Sequence, residues 1–378
     1  MTPAARSSVS ILALCLLAAC ASAPPVADRE PDERGEVDPL LAQAGVPHAV
    51  VAEAFLTPLT PDDNVDSPAL WASPDGKPLL LATAKATGRL MKYDGDTGAA
   101  TGVVGRVGTQ AGQFDRPNGI FVADDLVFVV ERDNRRVQVL RAPDMRSLGS
   151  FGQAELQQPY GLWLQRTAPG RYDVVVSDAY MAGEDAAGED ILPPLAQLDR
   201  RLRRYSLQVG ANELQAQLVG NIGDTGPAGA IRIPESVWAD PAHDRMLIAE
   251  EDTAVGTTVR VYDMAGRYRG LDVGKGVFKA QAEGIALWQC ADGSGYWITT
   301  DQFKDRSLFH VWDRRSLRHV GAFAGRTVAN TDGVWLHQGA TARFPQGVFY
   351  AAHDDMGVGA FDWRDIAGAL KLAACPVN

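Results

Sequence analysis

The chain has 378 residues, of which 46% are hydrophobic and 22% are charged, a composition that allows a sizeable buried core and argues against a disordered chain. Its formal net charge of −11 argues against nucleic-acid binding, which needs a basic surface, and suits a protein that holds cations. We therefore expect a folded domain with no nucleic-acid partner.

The first 20 residues have the pattern of an export signal. Arg6 gives a weakly positive start, an apolar segment follows, and Leu-Ala-Ala-Cys at 17–20 is typical of the site at which bacterial lipoproteins are cleaved and acylated. Residues 1–20 are therefore predicted to be a lipoprotein signal peptide, with Cys20 as the lipidated residue. The alternative is an ordinary secretory signal that is cleaved after Ala21 or Ala23.

The region after Cys20 bears on localisation and domain organisation. No aspartate follows Cys20, and resemblance to sorted lipoproteins then implies a bacterial outer-membrane lipoprotein whose domain lies in the periplasm or at the cell surface. Residues 21–50 are rich in Ala, Pro, Glu and Asp and are predicted to be a flexible tether. The folded domain is predicted to occupy residues 51–378, with the membrane contacted through the lipid anchor only.

Six copies of a two-strand unit follow one another along this domain. The unit is clearest at 233–252, where a short apolar strand, a polar turn and a second apolar strand are flanked by acidic residues. The anchors taken as equivalent are Ala69, Gly119, Gly161, Ser236, Gly284 and Gly333, which gives a repeat of about fifty residues. This period predicts an all-β, six-bladed β-propeller, closed by pairing of residues 55–59 with the last repeat.

Two repeats have further features. Residues 108–139 closely resemble a propeller repeat of the NHL type, a match that specifies the fold and says little about function. In the third repeat, residues 181–202 break the strand pattern and form an insertion. The insertion is long enough to fold over one face as a lid, but a simple surface loop is equally compatible with its sequence.

Cys290 and Cys375 are the cysteines that remain in the predicted folded part. A disulfide between them would tie down the chain end in an oxidising compartment. Two unpaired buried thiols are an equally acceptable reading.

Propeller geometry gathers equivalent positions of the repeats around the central channel. Residues just before the anchors and at the ends of the second strands should therefore converge, and they are Asp66, Arg132, Tyr160, Glu235, Glu251, Glu283, Asp332 and Asp354. Clustered carboxylates repel one another unless cations lie between them, and oxygen ligands favour calcium or magnesium. The alternative is that each carboxylate caps a turn and faces water.

Several short motifs resemble, in the same order, those of the β-propeller phytases, the calcium-dependent enzymes that remove phosphate from myo-inositol hexakisphosphate (phytate). The motifs are Asp-Ser-Pro-Ala-Leu-Trp at 66–71, Pro-Tyr-Gly-Leu at 159–162, Leu-Ile-Ala-Glu-Glu-Asp at 247–252, Ala-Glu-Gly-Ile at 282–285, Asn-Thr-Asp-Gly at 330–333 and Phe-Pro-Gln-Gly-Val-Phe at 344–349. Their order and intervals make the combination much more specific than any single motif. The resemblance covers most of residues 62–359.

The resemblance implies an exported, calcium-dependent phosphomonoester hydrolase similar to 3-phytase, acting on phytate or another phosphorylated small molecule. It implies several Ca²⁺ ions, bound by Tyr160, Glu235, Glu251, Glu283, Asp332 and Asp354, and Asp66 is added to this set from its place in the ring. Lys85 and Arg132 stand where the family binds phosphate. We assign the catalytic role to Glu251, Glu283 and Asp332, as metal-binding groups near the attacking water.

The sequence also departs from the family pattern. Ala179 and Tyr180 stand where a lysine and an acidic residue are expected, which leaves the phosphate pocket short of one positive charge. Gln281, Asn330 and Ser67 each replace an aspartate, so the metal cluster is thinned. We therefore expect phytate itself to be a poor substrate.

Two other functional classes stay open. One is a non-catalytic, calcium-stabilised propeller that acts as a binding lipoprotein, a reading favoured by the missing lysine. The other is a lactonase or esterase propeller, which would use one metal ion and would not need Lys85 and Arg132. Serine hydrolase and nucleotide hydrolase readings have little support, because neither a Gly-x-Ser-x-Gly motif nor a Walker loop occurs.

Overall fold

The computed structural model of the protein describes residues 1, 38–186, 188 and 190–375. Within these residues, six sheets are arranged as blades around a central channel, five of them with four strands and one with five. The first strand of each blade contacts the first strand of the next, and the ring closes between blades 6 and 1. The predicted all-β, six-bladed propeller is thereby confirmed.

In blades 1 to 5 the four strands follow the chain from the channel outward. Blade 1 contains Val65–Ala72, Pro78–Ala84, Arg89–Asp94 and Ala100–Val104. Blade 2 contains Pro117–Ala123, Leu126–Glu131, Arg136–Arg141 and Arg146–Phe151. Blade 3 contains Pro159–Ala168, Arg171–Asp178, Leu202–Val209 and Leu214–Ile222. Blade 4 contains Pro234–Asp240, Arg245–Glu250, Thr258–Tyr262 and Tyr268–Val273.

The last two blades each recruit a strand from the start of the domain. Blade 5 contains Ala282–Gln289, Gly295–Asp301, Leu308–Asp313 and His319–Ala324, with Ala49–Val50 added in parallel at its outer edge. Blade 6 contains Val334–His337, Val348–His353 and Gly357–Asp362, and its outer strand is Phe55–Leu56. Outside the blades lie a hairpin of Gly183–Glu184 and Asp190–Ile191, the 3-10 turns Leu41–Gln43, Leu195–Gln197 and Pro241–His243, and the helix Trp363–Leu370.

Pairing of the early chain with blade 6 closes the ring, as predicted. Phe55 pairs with Ala360 in an antiparallel register, and its ring packs against Phe344 and Tyr350. The carboxylate of Glu53 accepts hydrogen bonds from three consecutive backbone N–H groups at 326–328. These contacts remove the exposed edge that blade 6 would otherwise present.

Residues 38–50, which fall in the predicted tether, already contact the propeller. The backbone N–H of Leu41 donates to the Asp305 carboxylate over 2.9 Å, and Ala44 is buried. The propeller therefore includes residues before position 51. The predicted signal peptide, Cys20 and tether residues 21–37 lie outside the described residues. Among the described helices, none is long and apolar enough to cross a membrane.

A buried carboxylate closes the second strand of four blades, at Glu131, Asp178, Glu250 and Asp301. Each accepts backbone N–H groups from the loop that leads into the first strand of its own blade, as Glu250 does from residues 232 and 233 over 2.7 and 3.0 Å. Because a buried N–H group is costly when unpaired, these carboxylates fix the loops that carry the channel-lining residues.

A bulge at the start of the first strand corrects one sequence alignment. In blade 1 the register shifts between Val65 and Pro68, and the same shift follows Pro117, Pro159, Pro234 and Ala282 in blades 2 to 5. Ser67, and not Ala69, is therefore the equivalent of the anchors Gly119 and Gly161. The alternation of a strand has period two, so a displacement by two residues leaves the apolar pattern unchanged.

The C-terminal end of the described chain is fastened to blade 5. Cys290 and Cys375 are joined by a disulfide, which decides between the two alternatives left open by the sequence. The rings of Trp288 and Trp363 stack at a centroid distance of 4.0 Å beside it. The helix Trp363–Leu370 thereby covers the outer part of blades 5 and 6.

Candidate functional site

A polar cavity opens at one end of the channel, on the face where the first strands of the blades begin. It encloses about 710 Å³ of space, part of it open to solvent. All six blades contribute to its described lining, which consists of Asn64, Lys85, Arg132, Gln158, Tyr160, Ala179, Met181, Asp190, Ile233, Pro234, Glu235, Glu251, Glu283, Gln302, Lys304, Asn330, Asp332 and Asp355. Below the cavity the channel narrows, and the rings of Phe121, Trp238 and Trp335 pack together across it.

The strand-start bulge brings the lining residues together. In blades 1 to 5 the position after the first paired residue of the inner strand holds Asp66, Asn118, Tyr160, Glu235 and Glu283. In blade 6, Asp332 lies two residues before the first paired residue, Val334. The residue after each second strand forms a second ring, because its backbone N–H bonds to the loop before the inner strand, as in Lys85 to Asn64 and Glu251 to Ile233. These two rings are the positions from which the sequence predicted a site.

Glycine allows adjacent blades to approach closely at this level. A Cβ atom on Gly119 would lie 2.6 Å from the carbonyl oxygen of Tyr160, and one on Gly161 would lie 2.8 Å from that of Glu235. Real Cβ atoms do not approach so closely, and glycine thus lets the site residue of the next blade reach the channel. The Ser177 hydroxyl then donates to the Glu235 carbonyl over 2.9 Å and fixes blade 3 against blade 4.

Three carboxylates form the tightest acidic cluster found among the described residues. One ligand oxygen each from Glu235, Glu251 and Glu283 lies within 4.8 Å of the others. Glu235 and Glu283 are buried, and Glu251 is half-buried. Burial, reinforced by the neighbouring charge of Glu251, raises the pKa of Glu235 well above its ordinary value. The cluster is therefore electrostatically strained when no cation neutralises it.

The donor set of this cluster fits a hard divalent cation. Carboxylate oxygens are the ligands that Ca²⁺ and Mg²⁺ prefer, and three of them supply enough negative charge to offset the cost of removing the ion from water. Tyr160 and Asp332 line the same cavity and offer further oxygen atoms. Glu235, Glu251 and Glu283 are thus the residues that could hold a metal ion.

A chain of polar contacts runs along the other side of the cavity. The ammonium group of Lys85 lies 3.1 Å from Asp66 Oδ2 and 3.6 Å from Asp332 Oδ2. The Gln302 amide donates to the second oxygen of Asp332, and Lys304 donates to the Gln302 carbonyl oxygen over 2.9 Å. Two lysines are in this way joined through one partly buried carboxylate. Burial raises the pKa of Asp332 well above its ordinary value, although Lys85 opposes the shift.

Arg132 and Tyr160 also lie where the sequence placed them, in the cavity lining. Arg132 is half-buried, and its guanidinium donates to Asp133 over 2.8 Å. Asp66 lies beneath the lining, almost completely buried, and reaches the site through Lys85. Of the ten predicted site residues, Cys20 lies outside the described part of the chain.

Asp354 is, like Asp66, a predicted site residue that the described lining does not include. It occupies the repeat position of Lys85 and Glu251, but both Asp354 and Asp355 have a left-handed backbone, with φ of 50° and 57°. This turn places Asp355 in the lining, where it accepts a hydrogen bond from Asn330 over 3.2 Å. Burial raises the pKa of Asp355 to about 6.

The insertion between the second and third strands of blade 3 reaches the mouth of the cavity. Met181 and Asp190 from it join the lining, next to Ala179. The Tyr180 side chain packs outside the lining, because its ring lies under the Arg201 guanidinium at 4.4 Å and its hydroxyl donates to the Gln197 carbonyl. These contacts make the base of the insertion part of the fold, and its described residues form one wall of the site.

Lys304, Gln302 and Asp355 are lining residues that sequence reasoning missed. Gln302 directly follows the second strand of blade 5, as Lys85 follows that of blade 1, so the repeat alignment contained a signal for it. Lys304 lies two residues further on, and no repeat position predicts it. Among the described lining residues, six carboxylates accompany three cations, Lys85, Arg132 and Lys304.

Part of the chain matches a known protein family. Residues 232–360 match the family model described as Phytase, a segment that includes Glu235, Glu251, Glu283 and Asp332. A search of curated proteins found no match. Hydrazine synthase of Kuenenia stuttgartiensis is similar in structure at 13% identity and a TM-score of 0.46, over 85% of this chain and 82% of that one. A chain of a nidogen/laminin complex is similar at 11% identity and a TM-score of 0.46, over 71% of this chain and 82% of that one.

The match covers blades 4 to 6, which carry the three clustered carboxylates. The resemblance to the β-propeller phytases that the sequence motifs indicated is therefore confirmed over residues 232–360, within a chain that folds as a six-bladed propeller.

Proposed function

We propose that this protein hydrolyses phosphate monoesters in a calcium-dependent manner. The observation that carries the proposal is the cluster of Glu235, Glu251 and Glu283 facing Lys85 and Arg132 across one cavity. A phosphate ester needs positive charge around its oxygens, yet carboxylates outnumber cations in the described lining. Bound divalent cations would reverse this balance, which supports a function in which metal and anionic substrate bind together.

Glu235, Glu251 and Glu283 are assigned to the metal, with Tyr160 and Asp332 as further oxygen donors. When bound, divalent cations lower the pKa of water and neutralise the charge of the transferred phosphoryl group. Arg132 is assigned to the phosphoryl oxygens, because its planar guanidinium can bind two of them at once. Lys85 adds a second positive charge, and Asp66 and Asp332 fix its position.

The substrate is proposed to carry less charge than phytate. Ala179 occupies the position at which the phytases have a lysine, and it lies in the cavity wall. Loss of one cation from a polyanion site weakens affinity more than it weakens the chemistry at the metal. We therefore assign the chain to phosphomonoesters in general, with phytate as a poor substrate.

We also propose that the protein is exported and anchored to the outer membrane through lipid on Cys20. The disulfide between Cys290 and Cys375 supports an extracytoplasmic setting, because such bonds persist in oxidising compartments. Labelling of cells with a radioactive fatty acid tests the anchor. Label should enter the wild type and be lost from the Cys20→Ala variant, and labelling of both to the same extent would contradict the proposal.

The activity itself is tested by measuring phosphate release from a panel of phosphomonoesters, with calcium and with a chelator. Calcium-dependent release should be abolished in Arg132→Ala and Glu283→Ala and retained in Arg318→Ala, an exposed arginine of blade 5 outside the cavity lining. The same panel includes lactones and carboxylic esters. Turnover of these compounds without phosphate release would favour the lactonase alternative, and calcium binding without any turnover would favour the non-catalytic propeller.

A further inference from the structure

The two lysines of the cavity lie on one side of the ring and its apolar groups on the other, and Arg132 of blade 2 lies between the two sides. Lys304 belongs to blade 5 and Lys85 to blade 1, and Asp332 of blade 6 lies between them. Blades 3 and 4 are across the ring from blades 6 and 1. Their contribution includes an uncharged patch, which we name the apolar wall and define as Ala179, Met181, Ile233 and Pro234.

The two lysines are held at fixed places by the contacts of Asp332. One oxygen of Asp332 lies 3.6 Å from Lys85 Nζ, and the other accepts the Gln302 amide, whose own carbonyl oxygen accepts from Lys304 over 2.9 Å. The Asp332 side chain is only 14% exposed in this arrangement, so water screens these contacts incompletely. A single carboxylate thus positions two cations on the same side of the cavity.

The separation of the two lysines from the apolar wall favours some phosphate esters over others. A polyanion such as phytate presents phosphate groups in every direction, and those that face the apolar wall would meet no cationic side chain, because blades 3 and 4 contribute none to the described lining. Asp190 at the edge of this wall would add repulsion. An ester with one phosphate group and an apolar alcohol would instead satisfy both sides of the cavity.

We propose that Lys304 is a substrate-binding residue. From blade 5 it supplies the positive charge that is missing at Ala179. The preferred substrate is then a phosphomonoester of an uncharged, apolar alcohol. The phosphoryl group contacts Lys304 in addition to Arg132 and Lys85, and the alcohol contacts the apolar wall. This inference rests on the proposed phosphomonoesterase function and adds to it the substrate class and a residue that selects it.

The lysine pair is tested with Lys304→Met, Lys304→Arg and the control Lys77→Met, which removes the same charge from a side chain that is 86% exposed on a turn of the opposite face. In Lys304→Met the KM for 4-nitrophenyl phosphate should rise about tenfold or more while kcat changes by less than about threefold, as expected when a charged hydrogen bond to substrate is lost. Lys304→Arg should recover most of the loss, and Lys77→Met should behave as wild type. A KM in Lys304→Met within about twofold of wild type would refute the assignment.

The apolar wall is tested with three substrates of wild type: 4-nitrophenyl phosphate, glycerol 2-phosphate and phytate. The value of kcat/KM should fall in that order, and Met181→Lys should raise it for phytate and lower it for 4-nitrophenyl phosphate. A wild-type preference for phytate would overturn the substrate class.

A binding measurement separates this inference from the proposed function. With calcium present, inorganic phosphate should raise the Tm of wild type and of Lys77→Met, and raise that of Lys304→Met much less. If wild type releases no phosphate from any ester, the proposed function fails, and the phosphate-induced Tm shifts still decide whether Lys304 binds phosphate.

Discussion

Glu250 and Glu251 are adjacent in the chain, yet only Glu251 lines the cavity. Glu250 is completely buried, and its two oxygens accept the backbone N–H groups of residues 232 and 233. Glu251 follows the strand end and belongs to the cluster with Glu235 and Glu283. One glutamate fixes the loop that enters blade 4, and its neighbour is available for a metal ion.

This difference predicts that the same substitution affects stability at one position and the calcium response at the other. Glu250→Gln should lower the free energy of unfolding by about 1–3 kcal/mol, because an amide NH₂ would face one of the two backbone N–H donors. Its calcium response should remain. Glu251→Gln should change the stability of the chelator-treated protein little and lose most of the stabilisation by calcium. Chemical denaturation with calcium and with chelator measures both, and equal calcium responses in the two variants would contradict the separation of roles.

The raised pKa values in the cavity predict how stability depends on pH without metal. Burial and the nearby charge of Glu251 raise the pKa of Glu235 above its ordinary value of 4.5, so the folded state favours the protonated form. The stability that this group contributes is present below that value and is lost as pH rises through its folded-state pKa. Metal-free wild type should therefore lose stability relative to Glu235→Gln as pH increases above 4.5. Thermal unfolding in chelator at several pH values measures this, and parallel curves would count against it.

Restoring a cation at Ala179 should improve the use of phytate. Ala179 lines the cavity, while the next residue, Tyr180, is packed under Arg201, so a lysine at 179 would extend into the site without disturbing that contact. Ala179→Lys should lower the KM for phytate by about tenfold, roughly the value of one charge-assisted hydrogen bond. The control is Ala265→Lys, at an exposed position in a turn on the opposite face. An equal change in both variants would point to net charge alone.

The disulfide should stabilise the fold independently of the metal site. It links Cys290 of blade 5 to Cys375, 85 residues later, near the end of the described chain. Cys375→Ser should lower the free energy of unfolding by about 2–4 kcal/mol under oxidising conditions. Because Cys290 follows the first strand of blade 5 at the end away from the cavity, the increase in Tm on adding calcium should match that of wild type. A reduced calcium response would show that the C-terminal segment supports the cavity.

The fold could be predicted from the sequence because the repeating unit of the propeller is visible in the residue pattern itself. A polar turn between two apolar strands recurs six times, and a closed ring then follows from the need to bury both faces and all edges. The same repeat predicted that Glu235, Glu283 and Asp332 would come together, since residues at equivalent positions around a channel must converge. No single blade had to be recognised in detail for this step.

The parts that could not be predicted depend on local backbone geometry. The exchange of Asp355 for Asp354 follows from two consecutive left-handed residues, which an Asp-Asp sequence permits but does not require. Lys304 reaches the cavity from a loop, where strand periodicity gives no information about direction. The misplacement of the first anchor at Ala69 arose because a bulge cannot be distinguished from a two-residue shift in an apolar run.

The most direct test of the central claim is the rate of phosphate release from 4-nitrophenyl phosphate as a function of free calcium, in wild type and in Glu283→Gln. The account predicts a saturable increase with calcium in wild type, loss of the rate with chelator, its return when calcium is restored, and no activation in Glu283→Gln. A wild-type rate that is the same with calcium and with chelator, or calcium binding without release of phosphate from any ester, would contradict it.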